Sequence, residues 1–356
     1  MHEEALLSDI RKLYENAGFR AYKMRKFEEY SLYLENRDFL LNDYVITFSD
    51  MSGRLLALKP DVTLSIVKGT RATKDAGEKL YYMESVYRLD SRTNEYREIR
   101  QMGLEALGDI DDVQTLEIVA LALRSLVKID DRALMDISHM GIVKPLIEGV
   151  SMEERSRILS ALRAKNAAAL TDICSGINMD KENADALKAL IELPGDADVS
   201  LELLEALSKT DLQKQAVSEL KTLVKGLSSI GLASHIRLDF SIVNDVNYYT
   251  GIVFQGYVRN AYRSVLSGGR YDGLTEKFKR GVGALGFAIY LNDIQPDEKE
   301  AKADADILLT YSPDDDPALV FLAAEKYRSL GKRVRVEKKA PCGRAYESIL
   351  EVNKEC

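Results

Sequence analysis

Two short stretches between Ser241 and Leu274 restrict the folds open to this chain more than any others. The first, Asn244-Asp245-Val246-Asn247-Tyr248-Tyr249-Thr250-Gly251, runs on into Ile252, Val253 and Phe254. Branched and aromatic side chains at that density suit a pleated, half-buried surface, so the stretch reads as a strand. The second, Ser267-Gly268-Gly269-Arg270-Tyr271-Asp272-Gly273-Leu274, reads as a tight turn. Its paired glycines stand where a backbone takes unusual dihedrals or approaches something closely. Two tyrosines beside a glycine turn read as the wall and floor of a small-molecule pocket.

A second sheet element is legible upstream. Leu80 to Leu89 is tyrosine-rich and reads as a strand, with Leu80, Tyr82, Glu84, Val86 and Arg88 on one face. After the polar loop Asp90 to Tyr96, a return strand from Arg97 to Leu107 puts Gln101, Gly103 and Glu105 on one face. A glycine inside a strand weakens it and often marks close approach of a ligand. Amide, carboxylate and a nearby arginine suit a small zwitterion; equally, they suit a solvated face with cross-strand ion pairs.

The residues before this hairpin admit two readings as well. Ile46-Thr47-Phe48, a turn at Ser52-Gly53 and Leu55 to Leu58 form a hairpin. In Lys59-Pro60-Asp61-Val62-Thr63, extension would bring Asp61 and Thr63 to one face, where they could hold an amino group. Alternatively, Asp61 or Thr63 caps a helix beginning at Leu64.

The rest is mainly scaffold. Leu6, Leu7, Ile10, Leu13, Tyr14 and Ala17 recur at helical spacing, with Gly18 as C-terminal cap. Asp111 and Gln114 have capping-box spacing, and Val113, Leu116, Val119, Ala120, Leu123 and Leu126 make a buried stripe. From Asp131 to about Ser234 the pattern is helical and reads as an insertion between two halves of a sheet domain. In it, His139 reads as a packed, hydrogen-bonded residue. Gly281 to Gly286 matches a dinucleotide fingerprint but lacks the strand that should precede it. After a charged linker, strand, helix and strand over 307–337 make a small βαβ unit. The organisation expected is a sheet domain from 1–130 and 235–295, a helical insertion from 131–234 and a tail from 304–356.

Composition excludes several classes. A net charge of -8 argues against a broad nucleic-acid surface. No apolar run is long enough to cross a bilayer. Cys174, Cys342 and Cys356 are few and scattered, which fits a reducing, cytoplasmic compartment and indicates neither a disulfide framework nor a metal site. The N-terminus lacks the pattern of a secretory signal.

Taken in order, these motifs resemble the histidyl-tRNA synthetase family. Leu58 to Thr63 is similar to its first substrate loop, and Val86 to Asp90 with Arg97 to Glu105 to its motif 2. Asn247-Tyr248-Tyr249-Thr250-Gly251 and Gly268 to Leu274 are similar to its two histidine signatures, and Gly283 to Ile294 falls at motif 3. The resemblance implies an α+β fold: a class II aminoacyl-tRNA synthetase-like antiparallel sheet with flanking helices, a helical insertion and a small C-terminal βαβ remnant. It also implies a histidine pocket lined by Asp61, Thr63, Gln101, Glu105, Tyr248 and Tyr249, with Arg88 as the motif 2 arginine.

The departures matter as much. Asn244 stands where the synthetases carry an arginine that stabilises charge on the activated carboxylate, and Asn247 replaces an aspartate. Asn292 and Asp293 replace a glutamate-arginine pair whose arginine stacks on ATP. The tail is about half of the family's anticodon-binding domain. A synthetase-like chain of this kind resembles the regulatory subunits of ATP phosphoribosyltransferase. Arg97-Glu98 and Ser138-His139-Met140-Gly141 are similar to that subfamily. The resemblance implies no activity alone, no cofactor and no tRNA. It implies a short catalytic partner subunit in a hetero-octamer, a self-dimer, and histidine as effector. The alternatives are a divergent synthetase and a free-standing histidine sensor.

Overall fold

The structure, a computed structural model, describes residues 3–37, 44–90, 93–243, 248–294 and 303–352. The chain forms two compact units, His2–Gln295 and Pro296–Cys356.

The larger unit opens with helix α1 (Glu3–Asn16), which buries Leu7, Ile10 and Tyr14 along one face. Gly18, just past its end, has φ +81°, a conformation that glycine takes without strain. Strand β1 (Arg20–Ala21), strand β2 (Phe27–Glu29) and helix α2 (Tyr30–Glu35) follow. The expected hairpin forms as β3 (Thr47–Ser49) and β4 (Leu55–Leu58), and β2 completes a three-stranded antiparallel sheet in the order β2-β4-β3. Helix α3 (Thr63–Gly69) then leads to the long hairpin β5 (Glu78–Asp90) and β6 (Glu95–Gly108). Helix α4 (Asp112–Ile129) starts at Asp111, whose carboxylate accepts the Gln114 N–H at 2.8 Å. Its stripe differs from the expected one. Val113 is exposed, whereas every residue from Ile118 to Leu123 is buried, because the helix lies within the core rather than on its surface.

The helical stretch does not begin with a helix. Leu134–His139 is strand β7, paired antiparallel with the later strand Ile252–Tyr257 and parallel with Ile236–Leu238. Only about one turn of alternation separates it from helical sequence on both sides, so period 3.6 masks period 2. Six helices follow: α5 (Met140–Leu146), α6 (Met152–Arg163), α7 (Ala167–Gly176), α8 (Lys181–Ile191), α9 (Ala197–Leu207) and α10 (Asp211–Ser229). Ser151, Asn166, Asp180, Asp196 and Thr210 cap the last five, each accepting a backbone N–H of the first turn.

The chain returns to the sheet as β8 (Ile236–Leu238), β9 (Ile252–Tyr257), β10 (Leu266–Arg270), helix α11 (Asp272–Lys277) and β11 (Gly283–Tyr290). The eight strands run in the order β1-β5-β6-β11-β10-β9-β7-β8. The six central strands are antiparallel, as expected, but β1 and β8 pair parallel at the two edges, so the sheet is mixed. Two expectations change here. The glycine turn at 267–270 is instead the interior of β10. Gly283 to Gly286 of the dinucleotide fingerprint lie in β11, which is in register from Gly283 opposite Gly108 to Tyr290 opposite Gln101, and a short 3-10 turn rather than a helix follows the strand.

The smaller unit contains β12 (Ala305–Thr310), helix α12 (Pro317–Arg328), β13 (Val334–Glu337) and β14 (Tyr346–Glu351). The expected βαβ is present, and β14 adds a third parallel strand on the other side of β12.

Candidate functional site

The face shared by β5 and β6 carries the site. Tyr82 pairs with Gly103 and Glu84 with Gln101, which puts Tyr82, Glu84, Gln101 and Glu105 on one surface. Gly103 is bare because a Cβ there would lie 2.5 Å from the Tyr82 hydroxyl and 2.2 Å from the Phe287 carbonyl oxygen. The close neighbour is therefore the protein's own tyrosine, not a ligand. Gly286 serves Glu105 in the same way, since its Cβ would fall 1.8 Å from Glu105 Oε2.

The capping reading of Asp61 holds, and Thr63 is the first residue of α3 rather than part of an extended run. One Asp61 oxygen accepts the Leu64 N–H at 2.9 Å and so starts α3. The other lies 3.4 Å from Arg88 Nη2, while Arg88 Nε donates to the Pro60 carbonyl at 2.7 Å. Beside them, Lys59 is fully buried and its Nζ donates to Glu84 Oε2 at 2.9 Å. The sequence reading did not anticipate that pair.

Thr63 Oγ1 donates to Glu105 Oε1 at 2.8 Å, and the Tyr271 hydroxyl donates to Glu105 Oε2. Burial pushes the Glu105 carboxyl up to about 8, against these two hydrogen bonds. Burial also raises Asp61, outweighing Arg88. Tyr82, Tyr248 and Tyr271 are raised well above the usual phenol range, again chiefly by burial, and stay neutral donors.

Tyr248 and Tyr249 lie in the turn before β9 rather than in the strand. Their rings meet edge to face at 4.8 Å, and Tyr248 lies 6.0 Å from Tyr271. The paired glycines of β10 make room for this layer. A Cβ on Gly269 would be 2.7 Å from the Tyr249 ring, and one on Gly268 would be 2.6 Å from the Phe254 ring.

All seven residues singled out in the sequence (Asp61, Thr63, Arg88, Gln101, Glu105, Tyr248 and Tyr249) line one cavity of about 80 Å³. That is space for a small molecule, not a dinucleotide. Tyr82, Ser267, Tyr271 and Tyr290 also line it and were missed. Tyr290 was findable, because Gly286, Ala288 and Tyr290 alternate on one face of β11. At the motif 3 position, Asn292 Oδ1 accepts the Arg100 N–H at 2.7 Å and Asp293 pairs with Arg263 at 2.6 Å, so both hold backbone or loop in place. Asn244 and Asn247 lie outside the described residues.

Comparison with known proteins agrees with this architecture. A family model for histidyl-tRNA synthetase matches residues 1–294. An ATP phosphoribosyltransferase regulatory subunit from Clostridium botulinum is 30% identical over 295 residues, covering 80% of this chain and 69% of that relative. The crystal structure of an ATP phosphoribosyltransferase regulatory subunit/histidyl-tRNA synthetase from Bacillus halodurans C matches with a TM-score of 0.80 at 24% identity, over 98% of this chain and 93% of that one. A chain of the ATP phosphoribosyl transferase (HisG:HisZ) complex from Thermotoga maritima matches with a TM-score of 0.65 at 18% identity, over 82% and 98% of the two chains. Together with the pocket and the mixed class II sheet, these similarities show that the chain belongs to the family of ATP phosphoribosyltransferase regulatory subunits, built on the histidyl-tRNA synthetase fold.

Proposed function

We propose that this chain is a non-catalytic regulatory subunit. It is required for the activity of a short catalytic ATP phosphoribosyltransferase subunit and carries feedback inhibition by histidine in the first step of histidine biosynthesis. The observation that supports this most is the cavity that gathers all seven expected residues. In this reading Asp61, Thr63 and Gln101 take the amino group, Arg88 the carboxylate, and Glu105 with the tyrosines the imidazole. Each assignment pairs a charge or donor of the ligand with its complement in the wall. By linkage, histidine must favour one state of the assembly over another, and the difference sets the coupling.

The self-dimer, the hetero-octamer and the cytoplasmic location belong to the same proposal. Phe27 and Phe48 meet edge to face at 5.5 Å on one face of the small sheet, and both are exposed. Such a patch suits association. Among the described residues no helix is long and apolar enough to cross a membrane.

The test is reconstitution. The purified chain, mixed with a short catalytic subunit, should confer phosphoribosyltransferase activity that histidine inhibits. Failure to co-purify or to activate would overturn the proposal. The synthetase reading has its own support in the family match over 1–294. Histidine-dependent exchange of pyrophosphate into ATP by the chain alone would favour it instead.

A further inference from the structure

None of the helices α5–α10 lines the pocket, yet α10 reaches the edge of its tyrosine turn by way of His139. His139, the last residue of β7, is 4% exposed. Its Nδ1 accepts the Gly141 N–H at 3.0 Å, capping α5. A ring nitrogen that accepts carries no proton, so the imidazole proton sits on Nε2 and is donated to Glu219 Oε2 at 3.0 Å. Glu219 belongs to α10, and its other oxygen accepts the Gln215 side chain at 2.9 Å. The hydrogen bond from His139, above all, holds the Glu219 carboxyl below its ordinary range. The helices approach closely here, since a Cβ on Gly141 would lie 3.0 Å from the Cβ of Ala216 on α10.

The same residue borders the tyrosine turn. His139 pairs in register with Ile252, and the next N–H, of Met140, donates to the Gly251 carbonyl at 2.8 Å. On the far side, the Thr250 N–H donates to the Arg270 carbonyl at 2.8 Å, and the Thr250 hydroxyl accepts the Asp272 N–H at 3.2 Å. The segment carrying Tyr248 and Tyr249 is therefore pinned by β10 and α11 on one side and by His139-Met140 on the other.

We infer that His139 and Glu219 are positioning residues that seat the pocket's tyrosine turn from α10, so that ligand affinity depends on how α10 is held. The coupling is reciprocal: a ligand that orders the turn tightens α10, and a contact that shifts α10 changes the affinity. The ligand side of this inference rests on the histidine reading of the pocket.

The test uses the full chain with His139→Asn, Glu219→Leu and both together. Asparagine still accepts the Gly141 N–H as an N-cap but is too short to reach Glu219; leucine fills much of the space of Glu219 and cannot accept the proton of His139. Histidine affinity is measured by calorimetry, and amide hydrogen exchange is followed by peptide. Each variant should weaken histidine about tenfold. Exchange should rise in 248–254 and in α10 and stay unchanged in β12–β14. The double variant should match the single ones, as expected for one shared link. Unchanged affinity and unchanged exchange in the turn would overturn the inference. So would a rise spread evenly over the larger unit, which marks ordinary destabilisation. If the unaltered chain does not bind histidine, the histidine reading falls, and the exchange pattern alone decides the coupling.

Discussion

Replacing Glu105 by glutamine removes a buried carboxyl while keeping its shape, which makes its electrostatic cost measurable. In the folded protein this group titrates at about 8, against an ordinary value of 4.5. Between those values the folded state holds a proton that the unfolded chain has released. Stability from this group is therefore intact below 4.5 and falls as pH rises towards 8. The full span corresponds to roughly 3–5 kcal/mol, allowing for relaxation around the buried charge. Urea unfolding of both proteins at about pH 5, 7 and 9 would measure it, and the difference between the two curves cancels every other titrating group. At about pH 5 the variant should be the weaker by about 1 kcal/mol, because the bonds from Thr63 and Tyr271 must readjust. By about pH 9 it should have gained roughly 3–5 kcal/mol relative to wild type. Stability curves that stay parallel to within about 1 kcal/mol would refute the account of Glu105 as a carboxyl buried without a countercharge.

Histidine affinity should be highest between the imidazole's ordinary value of about 6.5 and the Glu105 value of about 8, and should fall on both sides, because the bound pair shares one proton. A flat calorimetric profile would count against that pairing. Gly286→Ala should destabilise by about 2–4 kcal/mol and abolish histidine binding, since the new methyl collides with Glu105 and with the Leu104 carbonyl. A thermal melt and a titration would show both effects. Lys59→Met should cost about 3–5 kcal/mol by leaving Glu84 without its buried partner, and Lys59→Met with Glu84→Gln should recover much of this in urea unfolding.

Pattern and chemistry reached different parts of this molecule. The β5–β6 hairpin was readable because its strands alternate over a long span, and with it came the common face of Gln101 and Glu105. Of the two readings of Asp61 the cap holds, while the bond from Arg88 to its other oxygen belonged to neither, because a sequence carries no trace of which partner a carboxylate engages. The glycines at 268 and 269 signalled close approach correctly but not its form. Glycine is permissive in turn and strand alike, and only the rings of Phe254 and Tyr249 explain why a strand needs it here. Strand β7 was hidden by its helical neighbours, and β14 by its charged and exposed residues, so neither offered an alternation strong enough to read. The Lys59–Glu84 pair was invisible because buried charges look like surface charges until a fold brings them together.

The pairing of β6 with β11 also bears on how the chain folds. It joins Gln101 to Tyr290, so the whole of α4 to α11 must be spanned before that ladder closes. Asp61, Thr63, Arg88, Gln101 and Glu105 come from one side of that interval, and Tyr248, Tyr249 and Tyr290 from its far end. Neither group makes a pocket alone. Loop-closure entropy grows only slowly with length, but contacts this distant in sequence form late and slow the folding reaction. Binding competence thus requires that long-range closure. A ligand held across the seam delays its opening, so histidine would act on this chain as a kinetic latch as well as a signal.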